Sequence, residues 1–176
     1  MPAPRLDATH AITIRASAEE IWPWLVQMGQ GRGGFYSYDW LENLFGCDIH
    51  NADRITPQFQ DLKVGDGVRL HPKIPVPVVI LEPYKALVLH GDTRQGPAST
   101  MAQPGDYMSV LWGFYLEPVD AHTTRLVERF RLDYNPTRRN RWINGYLVEP
   151  ASFIMERKML LGIKQRAEAA QATAGE

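Results

Sequence analysis

Hydrophobic and polar residues alternate near the start of the chain and then change to a helical spacing. The alternation over Thr9 to Arg15 is typical of a short strand with one buried face. Ser17 and Glu20 stand at the two positions of a capping box, and apolar residues recur after them at helical spacing. The pattern therefore predicts a first strand followed by a helix from about Ala18 to Met28.

A glycine-rich connection, Gly29 to Gly34, links this helix to a second predicted helix. The connection matches the G-x-G-x-x-G spacing of dinucleotide-binding loops, but such loops leave a strand, whereas this one leaves a helix. We therefore interpret it as a flexible hinge. Ser37 is a suitable N-cap for a short helix that runs to about Phe45 and carries Trp40 on its apolar face.

Short β-rich segments separated by turn residues follow from Val64 onward. Sequential strands with short connections predict an antiparallel sheet. The connection from Gly91 to Tyr107 is an exception, because its length and composition are typical of a functional lid or mobile segment. The predicted strands are Gly67 to His71, Val76 to Glu82, Ala86 to Gly91, Met108 to Glu117 and Arg125 to Asp133.

The last predicted element is a long helix that begins near Pro150 and continues to about Ala170. The whole order indicates an α+β fold, in which a curved antiparallel sheet must bury one face. The terminal helix is long enough to cover that face, and the space between them is either filled by side chains or left as a cavity. We expect a single domain over residues 1–176.

The parity of residues in the last two strands identifies the inward face. In the strand from Met108 the even positions are apolar and include Trp112 and Phe114, and the matching face of the next strand carries Phe130. Glu128 falls on the same face, so we expect burial to raise the pKa of its carboxyl. Such a carboxyl suits general acid or base catalysis. Alternatively, a bulge turns Glu128 outward, or an arginine pairs with it in a buried, structural ion pair.

Composition and charge exclude several classes of function. The 19 lysines and arginines nearly balance the 20 aspartates and glutamates, so no overall field attracts nucleic acid or anionic membranes. A single cysteine, Cys47, excludes an internal disulfide and fits a reducing compartment. Because we find neither signal-peptide features nor an apolar run long enough to span a membrane, we expect a cytoplasmic protein.

The histidines form no recognisable metal motif. The five of them never occur at H-x-H or H-x-x-x-H spacing, so we predict no metal site and no cofactor. Cys47 and His50 are near each other in sequence, but nothing supplies the oxyanion hole that a nucleophile and base would need. His71 and His90 lie on predicted strands and are the histidines that we expect to reach a cavity.

Several segments together resemble the SRPBCC superfamily, the helix-grip group of START lipid-transfer domains, aromatic polyketide cyclases and birch-pollen-allergen-type proteins. The segments are Gly33 to Asn43, Leu62 to Asp66, Trp112 to Pro118, Thr124 to Val127 and Met155 to Lys164. The resemblance implies about seven antiparallel strands around the C-terminal helix, with a cavity for an apolar or aromatic ligand. It implies no catalytic motif that transfers to individual residues.

Two functions fit these observations. The first is binding of a small hydrophobic or aromatic molecule, lipid-like or polyketide-like, in a cavity between the sheet and the terminal helix. The residues expected to line it are Tyr36, Trp40, Tyr107, Trp112, Phe114, Phe130, Met155 and Met159.

The alternative is a cyclase or dehydratase that uses the same cavity. Glu128 with His71 or His90 would then act as acid and base, and Tyr36 or Tyr107 would polarise a carbonyl. A partner-binding module modulated by a ligand also fits the sequence. In each case we expect a monomer or homodimer that binds a small molecule, without nucleic acid and without membrane insertion.

Overall fold

A six-stranded antiparallel sheet and a long C-terminal helix form the framework of the structure. The structure, a computed structural model, describes residues 4–38, 50–71, 74–95, 107–143 and 149–174. The strand order is β1-β6-β5-β4-β3-β2, so the first strand pairs with the last. The strands are β1 (Leu6–Ile14), β2 (Gly67–His71), β3 (Ile74–Glu82), β4 (Ala86–Asp92), β5 (Met108–Asp120) and β6 (Thr123–Tyr134).

Three α-helices and one 3-10 turn accompany the sheet. They are α1 (Ala18–Val26), the 3-10 turn Pro57–Phe59, α2 (Arg138–Ile143) and α3 (Glu149–Ala174). The predicted capping box opens α1, because Ser17 Oγ accepts from the Glu20 amide and a Glu20 carboxylate oxygen accepts from the Ser17 amide. None of the described helices combines the length and the apolar character needed to cross a membrane.

The predicted α+β helix-grip fold is confirmed, with differences in detail. The described residues form six strands, and these correspond to the six strand patterns in the sequence; the seventh strand was implied by the resemblance alone. The polar segment after Tyr134 contains the short helix α2, where Thr137 Oγ1 accepts from the Asn140 amide at 3.1 Å. The second predicted helix, from Ser37 to Phe45, lies largely outside the described residues.

The core lies between the inner face of the sheet and α3, which packs against β1 and α1. Phe114 and Leu126 from the sheet and Met159 and Ile163 from α3 are almost completely buried. Gly162 allows a close approach of α3 to residue Tyr36, since an added Cβ would overlap the Tyr36 backbone. This contact positions α3 relative to the segment that follows the glycine-rich connection.

The glycine-rich connection is a closed, hydrogen-bonded turn, which corrects its interpretation as a flexible hinge. Gly29 and Gly34 exchange amide-to-carbonyl hydrogen bonds of 3.0 and 3.1 Å, and both adopt positive φ. Arg32 within the turn donates to the carbonyl oxygens of Val26 and Phe59 at 2.9 and 2.7 Å. The turn is therefore anchored to both α1 and the 3-10 turn.

Candidate functional site

A cavity of about 210 Å³ lies between the inner face of the sheet and α3. One wall is aromatic, because the Trp112 ring contacts the rings of Phe35, Phe114 and Phe130 at centroid distances of 5.9, 4.9 and 6.5 Å. The lining residues are Phe35, Ser37, Leu70, Trp112, Phe130, Ser152, Met155, Glu156 and Met159. The cavity is therefore largely apolar, with a few polar groups at its edge.

Strand register and helix periodicity explain why these side chains meet. In the β5–β6 pair, Trp112 lies opposite Phe130 and Phe114 lies opposite Glu128, so all four side chains share one face. The lining residues of α3 lie three or four positions apart and form one stripe that faces the sheet. The sequence alternation in β5 and β6 therefore leads directly to the aromatic wall.

Glu128 is completely buried behind this wall. Trp112 Nε1 donates a hydrogen bond of 2.7 Å to Glu128 Oε1. Burial raises the pKa of Glu128 to about 7, although the hydrogen bond from Trp112 acts in the opposite direction. The inward position predicted from strand parity is the one that the structure shows.

Two further titratable groups meet Glu128, and we call the three residues together the carboxylate–histidine cluster. His10 lies opposite Glu128 in the β1–β6 pair, with its Nδ1 3.4 Å from Glu128 Oε2. The same His10 Nδ1 lies 3.2 Å from Oε2 of Glu156, which is 8% exposed on α3. Burial and the charge of Glu128 raise the pKa of Glu156 to about 7, and His10 opposes this effect.

The cluster is incompletely satisfied within the described part of the chain. His10 Nδ1 and Glu128 Oε2 are buried and have no hydrogen-bond partner of adequate geometry there. Among the described residues, His10 is also the one basic group that pairs with either carboxylate. Two buried carboxyls beside one imidazole can hold a proton, donate one to a bound molecule, or ligate a cation.

Some of the predicted lining residues border this cavity. Trp112, Phe130, Met155 and Met159 line it directly. Phe114 is fully buried and packs against the Trp112 ring from behind. Trp40 lies outside the described residues.

The two predicted tyrosines lie elsewhere. The Tyr36 hydroxyl donates to the Trp24 carbonyl oxygen at 2.9 Å, and its ring packs under the Arg166 guanidinium. Tyr36 borders a separate polar groove of about 790 Å³. The Tyr107 ring packs against the Arg94 guanidinium, 4.3 Å from the ring centroid, and it is not among the residues that line the cavity. The structure thus does not place either hydroxyl beside Glu128.

Of the two predicted catalytic histidines, the structure describes the side chain of His90, which does not join Glu128. His90 lies opposite Leu111, whereas Leu89 lies opposite Trp112, so His90 occupies the other face of the sheet from Trp112 and Glu128. Its Nε2 is 3.4 Å from Ser109 Oγ. His71 ends β2, and its side chain lies outside the described part of the structure.

Sequence reasoning missed His10 and Glu156, although both carried a local signal. His10 has the same parity as Ile12 and Ile14, whose alternation predicted the inner face of the first strand. Glu156 lies four residues after Ser152 and three before Met159, on the stripe of α3 that faces the sheet. A search for titratable residues on these two apolar faces would have found them.

Comparison with known proteins finds similarity at the level of fold. No protein-family model matches the chain, and no curated protein matches it. Among solved structures, a Mesorhizobium loti protein is 15% identical, with 93% of this chain and 98% of that chain covered and a TM-score of 0.49.

Two further solved structures are similarly distant in sequence. The polyketide-cyclase-like protein Cgl2372 from Corynebacterium glutamicum is 15% identical, with 97% of this chain and 96% of that chain covered and a TM-score of 0.41. The Aha1 dimer from Colwellia psychrerythraea is 22% identical, with 93% and 96% covered and a TM-score of 0.45. At these identities and TM-scores the matches assign neither a superfamily nor an activity to this chain.

Proposed function

We propose that this protein binds a small hydrophobic or aromatic molecule in the cavity between β5, β6 and α3. The observation that supports this proposal is the aromatic wall of Phe35, Trp112 and Phe130, which faces empty space instead of a filled core. Flat rings with centroid distances near 6 Å form a rigid surface that suits another flat or apolar molecule.

The cavity volume limits the size of the ligand. An apolar cavity of roughly 150 Å³ is enough for benzene, whereas pockets for drug-sized molecules begin at about 300 Å³. At about 210 Å³, this cavity has space for one ring, a small fused two-ring system or the end of a lipid-like chain. A larger polyketide-like molecule would enter with one ring only.

The polar lining favours a ligand with one hydroxyl or carbonyl group. Ser37 and Ser152 line the cavity together with Glu156. Ser37 Oγ already donates to the Met155 carbonyl oxygen at 3.1 Å, so its oxygen is left as an acceptor. Glu156 accepts a hydrogen bond from a ligand hydroxyl when it is ionised and donates to a ligand carbonyl when it is protonated.

A thermal-shift titration with 2-naphthol and indole as probes tests the binding proposal. Native mass spectrometry of the purified protein independently detects any molecule that copurifies with it. A probe at about one hundred times its Kd stabilises the native state by about 2.7 kcal/mol, which corresponds to a Tm increase of about 5–10 °C. The variant Ser152→Phe fills the cavity from α3 and should abolish the increase. Leu161→Phe, on an exposed position of the same helix, should retain it.

The binding proposal fails if neither probe raises the Tm and no molecule copurifies. It also fails if Ser152→Phe responds to the probes as the wild type does, since binding would then lie elsewhere.

An enzyme of the cyclase or dehydratase type is a second candidate, favoured by the paired buried carboxyls. Glu156 borders the cavity, and Glu128 lies behind it, so a proton given to a ligand at Glu156 can be exchanged with the rest of the carboxylate–histidine cluster. His10 takes the histidine role in this proposal, because His90 lies on the other face of the sheet.

Glu156→Gln separates the two candidates. In an enzyme, this variant should still bind the molecule recovered by native mass spectrometry but should no longer convert it to a dehydrated or cyclised product. If the wild-type protein leaves the recovered molecule unchanged, the enzymatic candidate is refuted.

The cytoplasmic location and the monomeric or dimeric state remain predictions.

A further inference from the structure

We propose that His10, Glu128 and Glu156 bind a first-row divalent metal ion, for which Zn²⁺ is a suitable probe. The three residues come from β1, β6 and α3, and their donor atoms all lie within 4.8 Å of one another. The sequence predicted no metal site, because the histidines never occur at metal-binding spacing, and the residues of this set are far apart along the chain. The site exists only after β1 and α3 have packed against β6.

The distances between donor atoms fit a metal ion. Ligand atoms bonded to a metal at about 2.0–2.2 Å are separated from one another by about 2.8–3.6 Å, from octahedral to tetrahedral angles. His10 Nδ1 lies 3.4 Å from Glu128 Oε2 and 3.2 Å from Glu156 Oε2, so both separations fall within this range. The donor oxygens of the two glutamates lie within 4.8 Å of each other.

The unsatisfied atoms of the cluster provide independent support. Glu128 is fully buried, and its Oε2 has no hydrogen-bond partner among the described residues. The adjacent His10 Nδ1, a nitrogen that can ligate a metal as neutral imidazole, also has no hydrogen-bond partner there. When both buried carboxyls are ionised, their negative charge exceeds what one imidazole can balance, and a divalent cation neutralises it.

Trp112 holds Glu128 in an orientation that suits ligation. Its Nε1 donates to Oε1, and this hydrogen bond leaves Oε2 directed toward His10. Hydrogen bonds of this kind orient metal-binding carboxylates in proteins and strengthen metal binding by about 10–100-fold. Trp112 is thus a positioning residue for the proposed site.

The surroundings allow both entry of the ion and an open coordination position. His10 and Glu156 line an open groove of about 700 Å³, and Glu156 also lines the ligand cavity. Three protein ligands leave a fourth position for water or for a donor atom of a bound molecule. A set of one imidazole and two carboxylates favours Zn²⁺, Fe²⁺ or Mn²⁺ over cations that prefer oxygen alone or sulfur.

Calorimetric titration of the chelator-treated full-length protein with Zn²⁺, without any organic ligand, tests the proposal. We expect one ion per chain, with an affinity that rises between about pH 6 and about pH 8, because protons compete for the carboxylates. Co²⁺ should bind competitively with Zn²⁺ and give visible absorption bands typical of low coordination number.

Matched variants locate the ion. Glu128→Gln, Glu156→Gln and His10→Asn should each weaken Zn²⁺ binding by more than about tenfold, and Trp112→Phe by about tenfold or more. Glu117→Gln and His122→Asn change an exposed glutamate and an exposed histidine and should leave binding unchanged. Far-ultraviolet circular dichroism identifies any variant that fails to fold, and the partly exposed His10 is the ligand whose replacement disturbs the core least.

The proposal is overturned if the folded protein binds none of Zn²⁺, Co²⁺ and Mn²⁺ at about pH 8. It is equally overturned if the cluster variants bind as tightly as the wild type, or if His122→Asn weakens binding as much as His10→Asn does. The buried carboxyls would in these cases hold a shared proton only. Since no organic ligand is present, the outcome is independent of the binding function proposed above.

Discussion

Replacing Glu128 by glutamine should remove much of the pH dependence of stability of the metal-free protein. The amide is uncharged at every pH, and its carbonyl oxygen can still accept the hydrogen bond from Trp112 Nε1 that Glu128 Oε1 accepts at 2.7 Å. The substitution therefore removes a titratable group from a completely buried position and changes the shape of the side chain little. Its effect on stability should depend on pH.

The magnitude follows from the raised pKa. Burial raises the pKa of Glu128 from 4.5 to about 7, and each pKa unit corresponds to about 1.4 kcal/mol. The folded state therefore binds the proton more tightly than the unfolded state does. The stabilisation is complete below about pH 4.5 and is lost as the pH rises to about 7, a total loss of about 3 kcal/mol. The Glu128→Gln variant should not show this loss of stability.

Urea denaturation between about pH 4.5 and about pH 8, in the presence of a chelator, measures the effect. The free energy of unfolding of the wild type should decrease over this range by up to about 3 kcal/mol more than that of Glu128→Gln. Glu117→Gln, at an exposed position of β5, should follow the wild-type curve. Glu156→Gln should also flatten the curve, because burial and Glu128 raise the pKa of Glu156 to about 7.

Equal pH slopes for the wild type and Glu128→Gln would refute this reasoning. Such a result would mean that the carboxyl is ionised at an ordinary pKa in the folded protein. The slope is the decisive quantity, because a uniform change in stability at all pH values reflects packing or hydrogen bonding of the new amide.

Three further substitutions test the packing of the fold by thermal or urea denaturation. Ser17→Ala removes the side-chain half of the α1 capping box and should cost about 1 kcal/mol; an unchanged Tm would contradict the capping role. Gly162→Ala should destabilise the folded state by about 1–3 kcal/mol, although alanine has a higher helix propensity than glycine, because the new Cβ overlaps the Tyr36 backbone. An increased Tm of this variant would contradict the contact. Met159→Ala should cost about 2–5 kcal/mol because Met159 is almost fully buried, whereas the exposed Leu161→Ala should cost much less; equal costs would contradict the core position.

Much of the fold could be predicted because strand and helix patterns are local. Alternation in β5 and β6 follows from the geometry of an extended backbone, so Trp112, Phe130 and Glu128 could be assigned to one face from the sequence alone. The Ser17 and Glu20 capping box was equally predictable, since both partners lie within one helical turn. The glycine-rich turn was interpreted wrongly, because its anchoring by Arg32 involves the distant Phe59 carbonyl.

The candidate site was less predictable because it depends on contacts between distant segments. His10 meets Glu128 through the pairing of β1 with β6, and Glu156 reaches both through the packing of α3 on the sheet. The β4–β5 register places His90 opposite Leu111 and therefore on the other face of the sheet. Alternation within one strand does not specify which residues of the neighbouring strand lie on the same face of the sheet, because this depends on the register between the strands.

The amino-acid sequence by itself determined the order of the strands and of the long helices and the inward face of β5 and β6, and it predicted Glu128 on that face. Each of these properties follows from backbone periodicity acting over a few residues. Only the tertiary structure decided that the aromatic residues border a cavity and that His10 and Glu156 join Glu128. These outcomes depend on strand register and on the position of α3, which arise from packing between segments far apart in the chain.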